Sequence, residues 1–214
     1  IKTLDLENCI ITIDAIGCQK SITKLIIENK ADYILCAKDN HETLRDLIEF
    51  NLSEESRYYL CHAKRHFEEN KGHGRSEYRE CVCISAKNLQ YFLKGWTGIK
   101  TLAMINSIRK MGDKEAVMET RYYISSLEPD PITILKSVRS HWEVENNLHW
   151  VLDIGFREDD DRKTGNAAIN FSAISKLSLM LLKQSDIKLG MAGKRKACGW
   201  DEKIRDKVIG IERI

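Results

Sequence analysis

Two prolines, at 129 and 131, and twelve glycines without a period leave no collagen-like or low-complexity tract in the 214 residues. Most of the chain is therefore expected to fold, and its length suffices for one full domain with a buried core. No apolar run approaches the roughly 18 residues that a membrane helix needs; the longest, such as Leu177 to Leu182, are cut short by charge. Nothing at the N-terminus has the form of a signal peptide. The chain opens on Ile1 and enters directly on a strand-like pattern, as a chain beginning inside a domain would. The seven cysteines (9, 18, 36, 61, 81, 83, 198) contain no C-x-x-C pair and no secreted framework, which points to reduced thiols and a cytoplasmic protein. An excess of one charge sign is lacking too. Lys plus Arg, 34, against Asp plus Glu, 32, gives +2, so any polyanion site must be local.

What is present is an α/β pattern. The β-branched run Cys9 to Ile13 ends at Asp14-Ala15-Ile16-Gly17 and is followed by Ile22, Leu25 and Ile26 at helical spacing. A second strand, Asp32 to Ala37, and a helix with Leu44, Leu47 and Ile48 complete a β-α-β-α unit, so a partly parallel sheet is expected. Residues 57–79 are polar and basic, and an alternating strand spans Tyr78 to Ser85. Thr101 to Lys110 and Glu115 to Ser126 read as antiparallel partners with Gly112-Asp113 at the turn. Beyond the prolines, Asp130 is placed to cap a long helix carrying Ile134, Leu135, Val138, Trp142, Leu148 and Leu152; a second apolar helix covers Ala167 to Leu182. The region 1–187 is read as one domain and 188–214, with Lys194-Arg195-Lys196, as a basic tail.

Asp14 stands where a strand of an open α/β sheet ends, the place such sheets offer to ligands, and its carboxylate suits magnesium. A cap for the following turn is the plainer role for it. On the long helix His141, Glu145 and His149 share a face. Zinc is one reading, weakened by the missing H-E-x-x-H order; pairing of Glu143 or Glu145 with Arg139 is another. The segment 71–79, KGHGRSEYR, interleaves basic residues with glycine, fitting either phosphate contact or a charged hairpin arm. Glu158-Asp159-Asp160-Asp161 reads as a solvated acidic run or a metal site, with Asp153 nearby. Cys81 and Cys83, on one face of a strand, read as packing residues.

ITIDAIGCQK, ADYILCAKDNH, KGHGRSEYRE, RYYISSL and SHWEVENNLHWVLDIGFREDD, in this order, resemble the H-repeat-associated insertion-sequence transposases, and KRKACGWDEKI extends the likeness into the tail. The resemblance implies a ribonuclease H-like mixed sheet flanked by helices with a helical C-terminal part. It also implies a DDE mechanism in which three acidic residues hold two magnesium ions for phosphodiester cleavage and strand transfer. On that basis Asp14 is the second acidic member and Glu145 the third, both metal ligands. The first is expected upstream of Ile1, together with the N-terminal strands of the fold, so this chain alone is expected not to cleave DNA. Related enzymes surround the last Glu with Tyr, Arg and Lys; those offsets here hold Val138, His141 and Leu152. Expected DNA contacts are Lys38, Arg75, Arg79, Arg139, His141 and Asn146, and the expected partners are element ends, target DNA and a second copy of the chain. A non-catalytic DNA-binding remnant, using residues 64–79 and the Lys194 cluster, is the alternative.

Overall fold

The computed structural model describes residues 5–53, 56, 61–72, 75–144, 148–158, 160 and 162–210. They divide into two compact units, Ile1–His141 and Trp142–Ile214.

The first unit is built on a six-stranded mixed sheet flanked by helices. Its strands are β1 (Ile10–Ile13), β2 (Asp32–Ala37), β3 (Lys64–Gly72), β4 (Arg75–Ser85), β5 (Thr101–Met111) and β6 (Val117–Ser125), in the spatial order β1-β2-β6-β5-β4-β3. Helices α1 (Lys20–Glu28) and α2 (Glu42–Leu52) follow β1 and β2, and α3 (Pro131–Val144) follows β6. β1 and β2 are parallel, as the β-α-β pattern requires, and every other pairing is antiparallel. The expected hairpin appears as β5 and β6, with Gly112 at φ 54° in the turn. β3, which the sequence pattern does not predict, pairs with β4 along its whole length.

Strand alternation gives the sheet two different faces. On one, Tyr33, Leu35, Val82, Ile84, Leu102 and Ile124 join Ile26 of α1, Leu44 and Ile48 of α2, and Leu89, Leu93 and Trp96 in a single buried core. Burying each such side chain contributes about 1.5–3 kcal/mol before entropy is charged. Polar ties close its rim: the Tyr33 hydroxyl donates to the Thr97 carbonyl at 2.8 Å, and Ser126 Oγ donates to Asp32 Oδ1 at 2.6 Å. The opposite face carries Ile34, Cys36, Cys81, Cys83, Ala103, Ile105 and Tyr123, all buried, as are Ile134, Leu135 and Val138 of α3. Asp130 caps α3 as expected, accepting from the Ile132 amide at 3.1 Å and from the Thr133 hydroxyl at 2.5 Å.

Two residues apart on α3, His141 reaches Thr12 of edge strand β1 and Arg139 pairs with Glu68 of edge strand β3. Both edges of one sheet lie within side-chain reach of half a helical turn, so the sheet curls around α3 with this face concave. The N-terminal half of β4 and the C-terminal half of β5 run out past the buried region as a partly exposed ribbon. Cys18, Cys36, Cys81 and Cys83 are buried, with Cys81 and Cys83 Sγ atoms 3.7 Å apart, while Cys9 and Cys61 are exposed.

The second unit is helical: α4 (Trp150–Phe156), α5 (Asn166–Gln184), α6 (Met191–Trp200) and α7 (Glu202–Ile209) pack around Leu152, Leu179 and Leu182. Residues 188–214 contribute two of these helices. Lys194 does not belong to an exposed basic cluster. It is buried, and its ammonium donates to the carbonyls of Leu182 at 2.9 Å and Ser185 at 2.8 Å, satisfying the C-terminal end of α5. Among the described residues no helix is long and apolar enough to cross a membrane.

Candidate metal and DNA site

Asp14 follows the last residue of β1 with extended backbone, φ −69° and ψ 174°, so alternation puts it on the concave face with Thr12. It opens the short 3-10 turn Ala15–Gly17, and its side chain makes no capping hydrogen bond to the later amides of that turn. The neighbouring Ala15 amide, and then the Lys38 ammonium, hold the carboxyl below its ordinary range, outweighing a partial burial that acts the other way. The result is an ionised, half-exposed carboxylate 3.3 Å from Lys38 Nζ. Arg121, on the adjoining stretch of β6, adds to the positive field around it. Gly17 makes the turn fit. A Cβ on residue 17 would stand 2.3 Å from Ile13 Cγ2, so only glycine lets the chain fold back against the end of β1.

As a hard oxygen donor, ionised at neutral pH, Asp14 suits magnesium. Glu145 and Asn146 lie outside the described residues, as do Asp159 and Asp161 of the acidic run. Among the described residues no group of three His, Cys, Asp or Glu side chains is gathered closely enough to hold a metal ion.

The other candidates of the first unit that the sequence singles out face the same concave side. Lys38 is engaged with Asp14, and His141 Nδ1 lies 3.2 Å from Thr12 Oγ1. Arg139 is ion-paired with Glu68, which also stands 3.7 Å from His66 Nε2. Arg75 and Arg79 alternate along β4 on either side of Glu77, and both bind its carboxylate. From β5, directly opposite Glu77 in the register, Arg109 Nε donates to Glu77 Oε1 at 2.8 Å. Glu77 is only 13% exposed and serves three guanidinium groups. Burial, followed by mutual repulsion, lowers the pKa of Arg75 and of Arg79. Arg79 Nη1 is buried without a hydrogen-bond partner among the described residues. Sequence alone does not single out Glu77 and Arg109. The alternation Arg75-x-Glu77-x-Arg79 is visible there, but Arg109 joins it only through the cross-strand register.

The comparisons with known proteins agree with this architecture. The family model described as "Transposase DDE domain" matches residues 1–182. "Putative transposase YncI" of Escherichia coli O157:H7 is 39% identical over 203 residues, covering 92% of this chain and 51% of the relative. "H repeat-associated putative transposase YhhI" of Escherichia coli strain K12 is 34% identical over 214 residues, covering 94% and 54%. The chain thus spans about half the length of the curated relatives it matches. A family model that matches residues 1–182, with relatives 39% and 34% identical over more than nine tenths of the chain, identifies the chain as a member of the transposase DDE domain family.

Proposed function

We propose that this chain is the larger part of the catalytic core of a DDE transposase with a ribonuclease H-like fold, acting on the DNA ends of an insertion sequence and on target DNA. The observation that carries this reading is Asp14: an ionised, half-exposed carboxylate at the C-terminal end of β1, set among Lys38 and Arg121. Asp14 and Glu145 would hold the magnesium ions, which when bound activate the attacking oxygen and stabilise the leaving one. Lys38, paired with Asp14, would keep that carboxylate deprotonated until metal replaces it. Arg75, Arg79, Arg139, His141 and Asn146 would contact the DNA backbone. Two copies would bring two DNA ends together.

The third carboxylate would come from a segment outside these 214 residues, and the chain alone would be catalytically inactive. Two observations support this: the chain spans about half the length of its relatives, and among the described residues β1 is an edge strand of the sheet.

Magnesium-dependent nicking of a supercoiled plasmid carrying the element's ends tests the reading. Activity is expected in a protein extended upstream by its genomic sequence and not in its Glu145→Ala variant. Nicking by the 214-residue chain itself would mean that another carboxylate, such as Asp153 or Asp159, completes the site. DNA binding without nicking in every form would favour the non-catalytic remnant.

A further inference from the structure

Three arginines on one carboxylate is an unbalanced arrangement. Arg75, Arg79 and Arg109 bring three positive charges to Glu77, which returns one. Arg139 and Glu68, beside them, neutralise each other. The three guanidinium groups come from two strands locked in register, Glu77 opposite Arg109, so their convergence is fixed by the β4–β5 ladder. Arg79 donates through Nη2 to Glu77 while its Nη1 has no partner among the described residues, and an orphaned guanidinium nitrogen normally marks a place where a further acceptor belongs. Arg75 and Arg109 are about half exposed, which leaves the cluster open to a ligand from the ribbon side.

A phosphodiester carries the same single charge as a carboxylate and, like it, offers two oxygens that accept from guanidinium forks. We infer that Arg75, Arg79 and Arg109 form a seat for one backbone phosphate of duplex DNA, and that in the free chain the Glu77 carboxylate occupies that seat as an internal substitute. DNA binding then exchanges one anion for another: Glu77 swings out, the phosphate takes its hydrogen bonds, and Arg79 Nη1 gains an acceptor. Glu77 keeps the guanidinium groups converged before DNA arrives and weakens the attraction of the ribbon for polyanions at random. This rests on the reading that the chain works on DNA, but not on the metal site.

The assignment inverts the usual expectation for a buried ion-pair partner. A merely structural Glu77 would weaken DNA binding when altered, because its arginines would lose their organiser. An occupant of the seat strengthens binding when its charge is removed. The test is binding of a short random-sequence duplex to the full chain in EDTA across a salt series. Glu77→Gln is expected to bind about three- to tenfold tighter with the log–log salt slope unchanged, because the phosphate takes the seat in both proteins and only the cost of displacing Glu77 is removed. Adding Arg109→Gln should abolish that gain. Equal or weaker binding by Glu77→Gln, with its circular dichroism and urea midpoint kept, overturns the proposal. If that variant does not fold, the exposed Arg109→Gln carries the test alone: a slope shallower by about 0.9 upholds the seat, and an unchanged slope overturns it. Since EDTA excludes cleavage, failure here leaves the metal-site reading to stand or fall on plasmid nicking.

Discussion

His141 Nδ1 lies 3.2 Å from the hydroxyl of Thr12, two residues before Asp14 on the same face of β1. This contact ties α3 to the strand that ends at the candidate metal ligand. Thr12→Val and His141→Ala are each expected to lower stability by about 0.5–1.5 kcal/mol, the net worth of a part-buried hydrogen bond. The double variant should cost less than the sum of the two, because both remove the same bond. Urea unfolding of the four proteins measures the coupling. Strict additivity would mean that the contact contributes nothing.

Asp14→Asn should separate stability from chemistry. The Lys38 pair is half exposed, so its loss should move the unfolding midpoint little, whereas nicking by the upstream-extended protein should vanish. The pH sense follows from the depressed pKa. The contribution of Asp14 to stability is present above 3.8, its ordinary value, and is lost as pH falls through the lower folded value. A wild-type advantage over Asp14→Asn that grew on acidification would contradict this.

Asp130→Ala should be more damaging than Asp14→Asn, by about 1 kcal/mol, because Asp130 caps α3. The Thr133 hydroxyl, with the Ile132 amide also contributing, holds its carboxyl below the ordinary range. Its stabilisation should therefore persist at pH 5 and fade below about pH 3.8. Thermal melts of the two proteins at pH 7 and pH 3 provide the check, the gap closing at the lower pH.

Gly17→Ala should destabilise by about 1–3 kcal/mol through overpacking against Ile13. Ile13→Ala removes the obstructing methyl, so the double variant should cost less than the two single costs combined. A double cost equal to the sum would show that the turn relaxes without help from Ile13.

Lys194→Met removes the donor to two carbonyls at the end of α5 and should cost about 1–3 kcal/mol. Arg195→Ala and Lys196→Ala should be nearly silent in the same urea assay. A silent Lys194→Met would mean that other groups satisfy those carbonyls.

Elements whose own side chains carry the information were legible. β1, β2, β5 and β6 are apolar or alternating, and α3 announces itself through Asp130 and the prolines. β3 was not. Lys64 to Gly72 has Phe67 as its one large apolar residue and is a strand because β4 offers it a ladder, a reason absent from its own sequence. The site divided similarly. Asp14 could be placed because a strand end is a local feature. Glu77 and Arg109 are 32 positions apart and meet only when the register of β4 on β5 is known. Lys194 looked like part of a basic surface because charge can be read from sequence, whereas the direction in which a lysine points cannot.

The cysteines give the curled sheet a built-in clock. Burial pushes the Cys18 thiol up to about 12 and Cys36 to about 11, and Cys81, hydrogen-bonded to Cys83 and buried, is raised as well. Thiolates of these residues are scarce at neutral pH and shielded from reagents until the sheet parts from the helices on its two faces, while Cys9 and Cys61 meet solvent at all times. Alkylation should proceed in a fast phase and a slow one, and the slow rate times how often the strands open, with no label added and no residue changed.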